Sequence, residues 1–288
     1  MSVGKKKTGL VLEGGAMRGL FSAGVMDVFM ENGITFDGCV GISAGAVFGL
    51  NYKSNQIGRS IRYNLKYCKD PRYCSFKSLF TTGDLYGVDF CYRVLPYELD
   101  IFDYKAFKKN PMKFYIGATD VNTGKCLFHL CSDGGVFDMT WMRASASMPL
   151  VSRIVEVEGF KLLDGGIADS VPYRFMEKEG YNRNVIILTQ PKGYRKSKNK
   201  LLPVMKVVLR KYPKLVHAME IRQDMYNKQM RGIDRREKEG TSFVIRPPKD
   251  LGIGRTENDP AKLKEVYDIG RAEGLRVLDS LKEFLAKE

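Results

Sequence analysis

The sequence predicts an α/β fold built on a mostly parallel sheet. Two units of strand, short loop and helix follow one another within the first fifty residues. Further apolar strands at 113–118 and 184–189 recur between helical stretches, as crossover connections require.

Taken in order, residues 8–12 read as a first buried strand, and Glu13-Gly14-Gly15-Ala16-Met17-Arg18-Gly19 as a glycine-rich turn into a helix over 20–31. Leu20, Phe21, Val25, Val28 and Phe29 fall at helical spacing there, and Asn32-Gly33 is a suitable stop. A second strand at 36–40 passes through Gly41-Ile42-Ser43-Ala44-Gly45 into a small-residue helix over 44–50. Residues 51–110 form a polar, aromatic insertion, which suits either a pocket cover or an ordinary helical layer with tyrosines on its wet edge. The strand at 113–118 turns at Asn122-Thr123-Gly124 into a hairpin partner over 125–131. A helix follows over 139–147, stopped by Met148-Pro149. A hairpin of 153–157 and 160–163 then delivers Asp164-Gly165-Gly166 to a strand end, before a helix at 172–178 and the strand at 184–189.

After Gln190-Pro191 the texture changes. Residues 192–214 carry nine basic side chains and no acidic one, interleaved with Leu201, Leu202, Val204, Met205, Val207, Val208 and Leu209. A helix over 213–230, a strand-like 241–245, a loop over 247–260 and a last amphipathic helix over 261–285 follow. The expected division is a first domain at 8–190 and a basic, mainly helical extension at 191–288.

At 288 residues and 44% hydrophobic the chain has ample material for a sizeable core. Its charged start lacks the apolar run of a secretory signal, and no uncharged stretch approaches the roughly 20 residues that span a bilayer. The expected place is the cytoplasm. Six cysteines without a Cys-x-x-Cys pair then read as reduced, buried thiols. The net charge of +14 is uneven: residues 1–191 hold 23 Lys/Arg against 19 Asp/Glu, whereas 192–288 hold 24 against 14. That asymmetry suits an anionic partner surface, and an apolar stripe beside it suits either a membrane-surface helix or a docked helix with a solvated face.

Gly41-Ile42-Ser43-Ala44-Gly45 fits Gly-x-Ser-x-Gly, in which a serine on a strained strand-to-helix turn projects its hydroxyl outward; a packed loop serine is the alternative. The loop at 14–19 lacks the Lys-Ser/Thr of a P-loop and the register of a dinucleotide fingerprint. What remains is either a tight turn or a run of backbone N–H groups at a helix start, suited to an anion or oxyanion. Asp164, between an apolar strand and two glycines, is either a sheet-edge functional carboxylate or a turn aspartate. Cys126, His129 and Cys131 do not make a metal site by spacing, because in a strand Cys126 points away from the other two. Of the two histidines, His129 lies mid-strand and His217 on a basic helix, neither at the strand end a triad base would occupy. Asp164 is then the economical base for Ser43.

These three stretches together, in this order, resemble the patatin-like phospholipases, most closely the bacterial single-domain members. The 144–149 segment, Ala144-Ser145-Ala146-Ser147-Met148-Pro149, and Pro172 also look like family blocks, and the resemblance covers roughly 8–190. It implies a three-layer α/β/α fold and a Ser-Asp dyad acyl hydrolase. Ser43 would be the nucleophile, Asp164 the general base and acid, and Gly14, Gly15 and Ala16, with Arg18 nearby, the oxyanion loop. Neither cofactor nor metal is implied. The implied partner is a lipid ester, with peripheral contact to an anionic membrane surface, the inner face of the membrane, and no nucleic acid. Ala16 stands where the family usually has a third glycine, so that the N–H is kept while positive φ is disfavoured. The same acyl-enzyme resolved by an alcohol or thiol would make an acyltransferase; a catalytically silent lipid-binding module is the third expectation.

Overall fold

A computed structural model describes residues 7–287; the charged start at 1–6 lies outside the described residues. Eight strands form one mixed sheet: β1 (Lys7–Leu12), β2 (Gly38–Ile42), β3 (Lys113–Asp120), β4 (Cys126–Leu130), β5 (Val155–Val157), β6 (Phe160–Asp164), β7 (Tyr181–Ile187) and β8 (Ser242–Ile245). Their order is β5-β6-β3-β2-β1-β7-β8, with β4 paired to β3. The pairs from β3 through β2, β1 and β7 to β8 are parallel, while β4, β6 and β5 join antiparallel.

Side-chain alternation along the strands separates two cores. Leu10 and Leu12 of β1 face α1 (Gly19–Glu31), α2 (Ala44–Lys53), α6 (Val136–Ala146) and α10 (Pro260–Ala286), whereas Val11, Val40 and Tyr115 face α7 (Tyr173–Lys178) and α9 (Pro213–Lys238). Helices on both faces of the sheet make three layers. The close crossing of α1 and α10 is set by missing side chains: a Cβ on Gly24 would lie 2.2 Å from the Tyr267 carbonyl oxygen, and one on Gly270 2.1 Å from that of Phe21. Residues after 191 thus enter the same architecture, β8 extending the parallel sheet and α10 covering its first face.

Some boundaries differ from the sequence reading for identifiable reasons. The second strand runs 38–42 rather than 36–40, because Asp37 turns its carboxylate back to the Thr8 N–H at 2.7 Å and the ladder continues to Ile42, paired with Gly117. The 51–110 insertion is helical, comprising α3 (Arg59–Tyr67), α4 (Phe76–Thr82), a π-helical segment over Phe90–Leu99 and α5 (Tyr104–Lys109). In the basic stretch α8 (Leu202–Val208) is a short helix and α9 starts at Pro213, running eight residues beyond the expected end at 230, to Lys238. No helix among the described residues is long and apolar enough to cross a membrane.

Candidate active site

Ser43 lies between the end of β2 and the start of α2 with φ 53° and ψ −122°, in the left-handed half of conformational space that a non-glycine residue occupies only under strain. Its flanking glycines are required by space. A Cβ on Gly41 would sit 2.5 Å from the Ala46 nitrogen, and one on Gly45 would sit 2.5 Å from the Leu12 carbonyl oxygen. The backbone therefore folds back tightly enough to lift the serine out of the strand.

The glycine-rich loop leaves β1 and passes directly over this turn. A Cβ on Gly14 would lie 2.9 Å from the Ile42 carbonyl oxygen and 3.0 Å from the Ser43 Cβ. Among the described residues the N–H groups of Gly14 and Gly15 donate to no protein acceptor. Ala16 takes φ 49°, so the alanine adopts the left-handed conformation that glycine would occupy freely, at a cost of about 1 kcal/mol. Glu13 anchors the loop from below. Its buried carboxylate accepts the Thr189 N–H at 2.6 Å and the Tyr226 hydroxyl at 2.9 Å, and burial raises its pKa despite both bonds.

Asp164 ends β6 and is buried beside Ser43. Its Oδ1 accepts the Gly166 N–H at 2.7 Å. Desolvation raises the carboxyl pKa, opposed by Arg222, the Gly166 N–H, the nearby Ser43 hydroxyl and Arg255. The C-terminal end of α6 grips both residues: the Ser145 hydroxyl oxygen accepts the Ser43 N–H at 2.8 Å, and the Ser147 carbonyl accepts the Asp164 N–H at 2.8 Å. Thr119 of β3 adds a hydroxyl donated to the Asp164 carbonyl at 2.9 Å.

Two cavities meet at Ser43. One, of about 130 Å³, runs under the helical insertion and is walled by apolar and aromatic groups such as Val47, Phe48, Tyr63, Leu95, Phe102 and Met142. The other, of about 500 Å³, is the more polar of the two: beside apolar groups such as Leu150, Leu202 and Met205 it includes Gly14, Gly15, Ala16, Arg18 and Asp164 together with Lys196, Arg222 and Arg255 from the chain after 191. All six residues singled out in the sequence therefore gather in one place. Lys196, Arg222 and Arg255 carry no local pattern that marks them, since each is brought in by tertiary docking; Glu13 opens the glycine loop, but its anchoring role depends on the distant Thr189 and Tyr226. Ser145 lay within a quoted block, but nothing in sequence reveals a bond spanning 102 residues.

Neither histidine lines these cavities. His129 Nε2 lies 2.7 Å from Asp138 Oδ1 with its ring stacked on Trp141, 5.0 Å between centroids. Cys131 joins this pair, with ligand atoms within 4.8 Å of one another, while Cys126 lies elsewhere. The other oxygen of Asp138 is already taken by the N–H groups of Ser132, Asp133 and Gly134, an arrangement that ties α6 to the loop before it. Burial opposes ionisation of Asp138, but His129 and these N–H groups outweigh it and lower its pKa. His217 is exposed on α9, 3.6 Å from Glu220.

The chain is 27% identical over 296 residues to the uncharacterized protein YjjU of Escherichia coli, spanning 97% of this chain and 79% of that protein. Lysophospholipase NTE1 of Coccidioides immitis is 27% identical and that of Aspergillus oryzae 26%, each over 96% of this chain but only 18% of the much longer relative. The crystal structure of VipD from Legionella pneumophila superposes with a TM-score of 0.48 at 11% identity, over 96% of this chain and 67% of that one. Residues 212–286 match a domain family of unknown function, DUF6363. Residues 10–176, more than half of the chain, match the family model of the patatin-like phospholipases, and the protein belongs to that family of lipid ester hydrolases.

Proposed function

We propose that the protein hydrolyses lipid esters of the phospholipid or lysophospholipid type through a Ser43–Asp164 dyad and an acyl-enzyme. The observation that carries this reading is the strained Ser43, which shares a cavity lining with the buried Asp164 and lies where an apolar and a more polar cavity meet. An acyl chain fits the first cavity and a headgroup the second. The ester carbonyl then falls between Ser43 and the free N–H groups of Gly14 and Gly15.

In this mechanism Ser43 Oγ bonds to the carbonyl carbon as its proton passes to Asp164. The oxyanion takes hydrogen bonds from the glycine loop, each such donor contributing roughly 10²–10³ in rate. Collapse breaks the bond to the leaving alkoxide, which receives the proton from Asp164. Water attacks the acyl-enzyme with Asp164 again as base, and the fatty acid leaves as Ser43 is reprotonated. The relatives named lysophospholipase support a lipid substrate.

Contact with an anionic membrane belongs to the same reading. Exposed apolar residues, Phe76 and Phe80 on α4 and Val204, Val207 and Val208 on α8, stand on helices whose neighbours Leu85 and Leu201 line the polar cavity. Lys198, Lys200, Lys206 and Arg210 accompany α8. Labelling with a serine-reactive phosphonate and hydrolysis of a medium-chain aryl ester test the dyad. The label is expected on Ser43, with turnover lost in both Ser43→Ala and Asp164→Asn; hydrolysis persisting in Ser43→Ala would remove the assignment.

A further inference from the structure

Six cations line the more polar cavity without an ion-pair partner among the described residues: Arg18, Lys196, Arg222 and Arg255, together with the exposed Lys198 and Lys200 of the loop before α8. Other inward-facing arginines of the molecule are matched, Arg59 with Asp100 at 3.2 Å and Arg246 with Asp234 at 3.2 Å and Glu237 at 3.0 Å. In the cavity wall the Arg18 Nε is buried with no hydrogen-bond partner. Arg222 Nε donates only to the Gly166 carbonyl at 2.6 Å, and the Lys196 ammonium lies 4.4 Å from the Tyr226 ring centroid. Arg255 stands exposed at the rim.

The anionic groups facing the cluster are few. Asp164 accepts the Gly166 N–H and attracts Arg222 from beyond ion-pair distance, Glu13 is engaged with Thr189 and Tyr226, and Glu220 with Lys206. Crowding shows in the proton equilibria. Burial and then Arg222 lower the Lys196 pKa to about 8, Glu13 opposes them, and Arg18 and Arg255 add to the repulsion. Cations withdrawn from water without partners are costly, and an anion able to accept several charge-assisted hydrogen bonds relieves that cost.

We propose that Arg18, Lys196, Arg222 and Arg255 form a phosphate subsite for the headgroup of the lipid ester whose acyl carbonyl lies at Ser43, with the chain after 191 supplying three of its four cations. The proposal rests on the lipid-ester reading of Ser43. Its chemical basis is position: Ser43 and the cluster line one cavity, and in a glycerophospholipid the phosphate is joined to the acyl ester through the short glycerol backbone. A neutral acylglycerol carries the same ester and offers the cations nothing.

The test compares kcat/KM for decanoyl lysophosphatidylglycerol and monodecanoylglycerol, in the parent and in Lys196→Gln and Arg255→Gln. The parent is expected to favour the phosphate ester, and each substitution should cut that preference about tenfold, the worth of one hydrogen bond to a charged group. Lack of a preference in the parent, or equal losses on both esters, overturns the subsite while leaving ester hydrolysis standing. Calorimetric titration of the Ser43→Ala protein with glycerol 3-phosphate and with inorganic phosphate makes the answer independent of turnover. Glycerol 3-phosphate binding that weakens in the two variants supports the subsite even if no ester is hydrolysed. Absence of that binding overturns it. Inorganic phosphate binding without any preference for the phosphate ester reassigns the cluster to a free anion and overturns the headgroup role.

Discussion

The Ser145 hydroxyl oxygen accepts the N–H of Ser43 at 2.8 Å and donates its own proton to the Gly117 carbonyl at 2.6 Å. A helix on one face of the sheet thereby fixes the strained turn that carries Ser43, the proposed nucleophile. Ser145 is fully buried, so Ser145→Ala leaves the Ser43 N–H and the Gly117 carbonyl without a partner or a route to water. The expected stability loss is about 1–3 kcal/mol. As a positioning residue it should lower kcat by about tenfold or more with little change in KM. Ser145→Thr, which keeps the hydroxyl, should recover part of kcat if its methyl is accommodated. Thermal melts and steady-state kinetics read the two effects separately, and an unchanged kcat in Ser145→Ala would deny the positioning role.

How far the sequence spoke for this site depends on which residues set each geometry. Gly41, Ser43 and Gly45 fix a turn by their own backbone needs, so the elbow is local and readable. The same holds for strand, glycine loop and helix at 7–31, and for the alternation that built the parallel sheet. Lys196, Arg222 and Arg255 were only part of a diffuse positive balance. Their convergence depends on α9 docking against the sheet, where Tyr226 reaches Glu13 across 213 residues of sequence. No periodicity encodes such a contact. The glycines that let α1 and α10 cross closely were silent for the same reason, since Gly24 and Gly270 have meaning only as a pair of facing surfaces.

The pH dependence of turnover follows from the burial of Asp164. In the proposed dyad Asp164 works ionised as the base, and desolvation raises its pKa above the ordinary aspartate value. The acid limb of kcat/KM should therefore lie at higher pH than a solvent-exposed aspartate would give, with activity falling as pH falls through it. The stability sign is opposite. A carboxyl whose folded pKa is raised contributes stability below its unfolded pKa, and loses it as pH rises through the folded value. Asp164→Asn should therefore raise the melting temperature at neutral pH, with the gain shrinking on acidification. A melting temperature lowered at neutral pH would show that the Arg222 and Arg255 charges outweigh burial.

Ala16 tests whether the left-handed backbone of the glycine loop carries strain. At φ 49° the methyl group costs about 1 kcal/mol relative to glycine, partly offset by the greater freedom glycine gives the unfolded chain. Ala16→Gly is expected to change stability by no more than about 1 kcal/mol in the favourable direction, and to preserve hydrolysis because the N–H stays in place. Ala16→Val has the same N–H with a branched side chain that resists positive φ. It should lower both stability and kcat. Equal activity of the glycine and valine variants would show that this N–H does not face the oxyanion.

The apolar faces of α4 and α8 make a prediction that a soluble substrate separates from a lipid one. Phe80 is 88% exposed and Val207 68%, positions where a large hydrophobic gains nothing in the isolated protein. Inserting either into the boundary of a bilayer recovers about 1.5–3 kcal/mol, so each of Phe80→Asp and Val207→Asp should weaken vesicle binding about tenfold or more. Repulsion from anionic headgroups adds to the loss, making it larger on phosphatidylglycerol-rich vesicles than on phosphatidylcholine ones. Neither side chain lines the cavities at Ser43. Hydrolysis of a dissolved aryl ester should therefore continue while hydrolysis of vesicle lipid falls in step with binding. Co-sedimentation with vesicles of the two compositions, run beside both activity assays, gives the comparison. Parallel losses on soluble and vesicle substrates would trace the defect to the catalytic cavity, and undiminished sedimentation would place the docking face elsewhere.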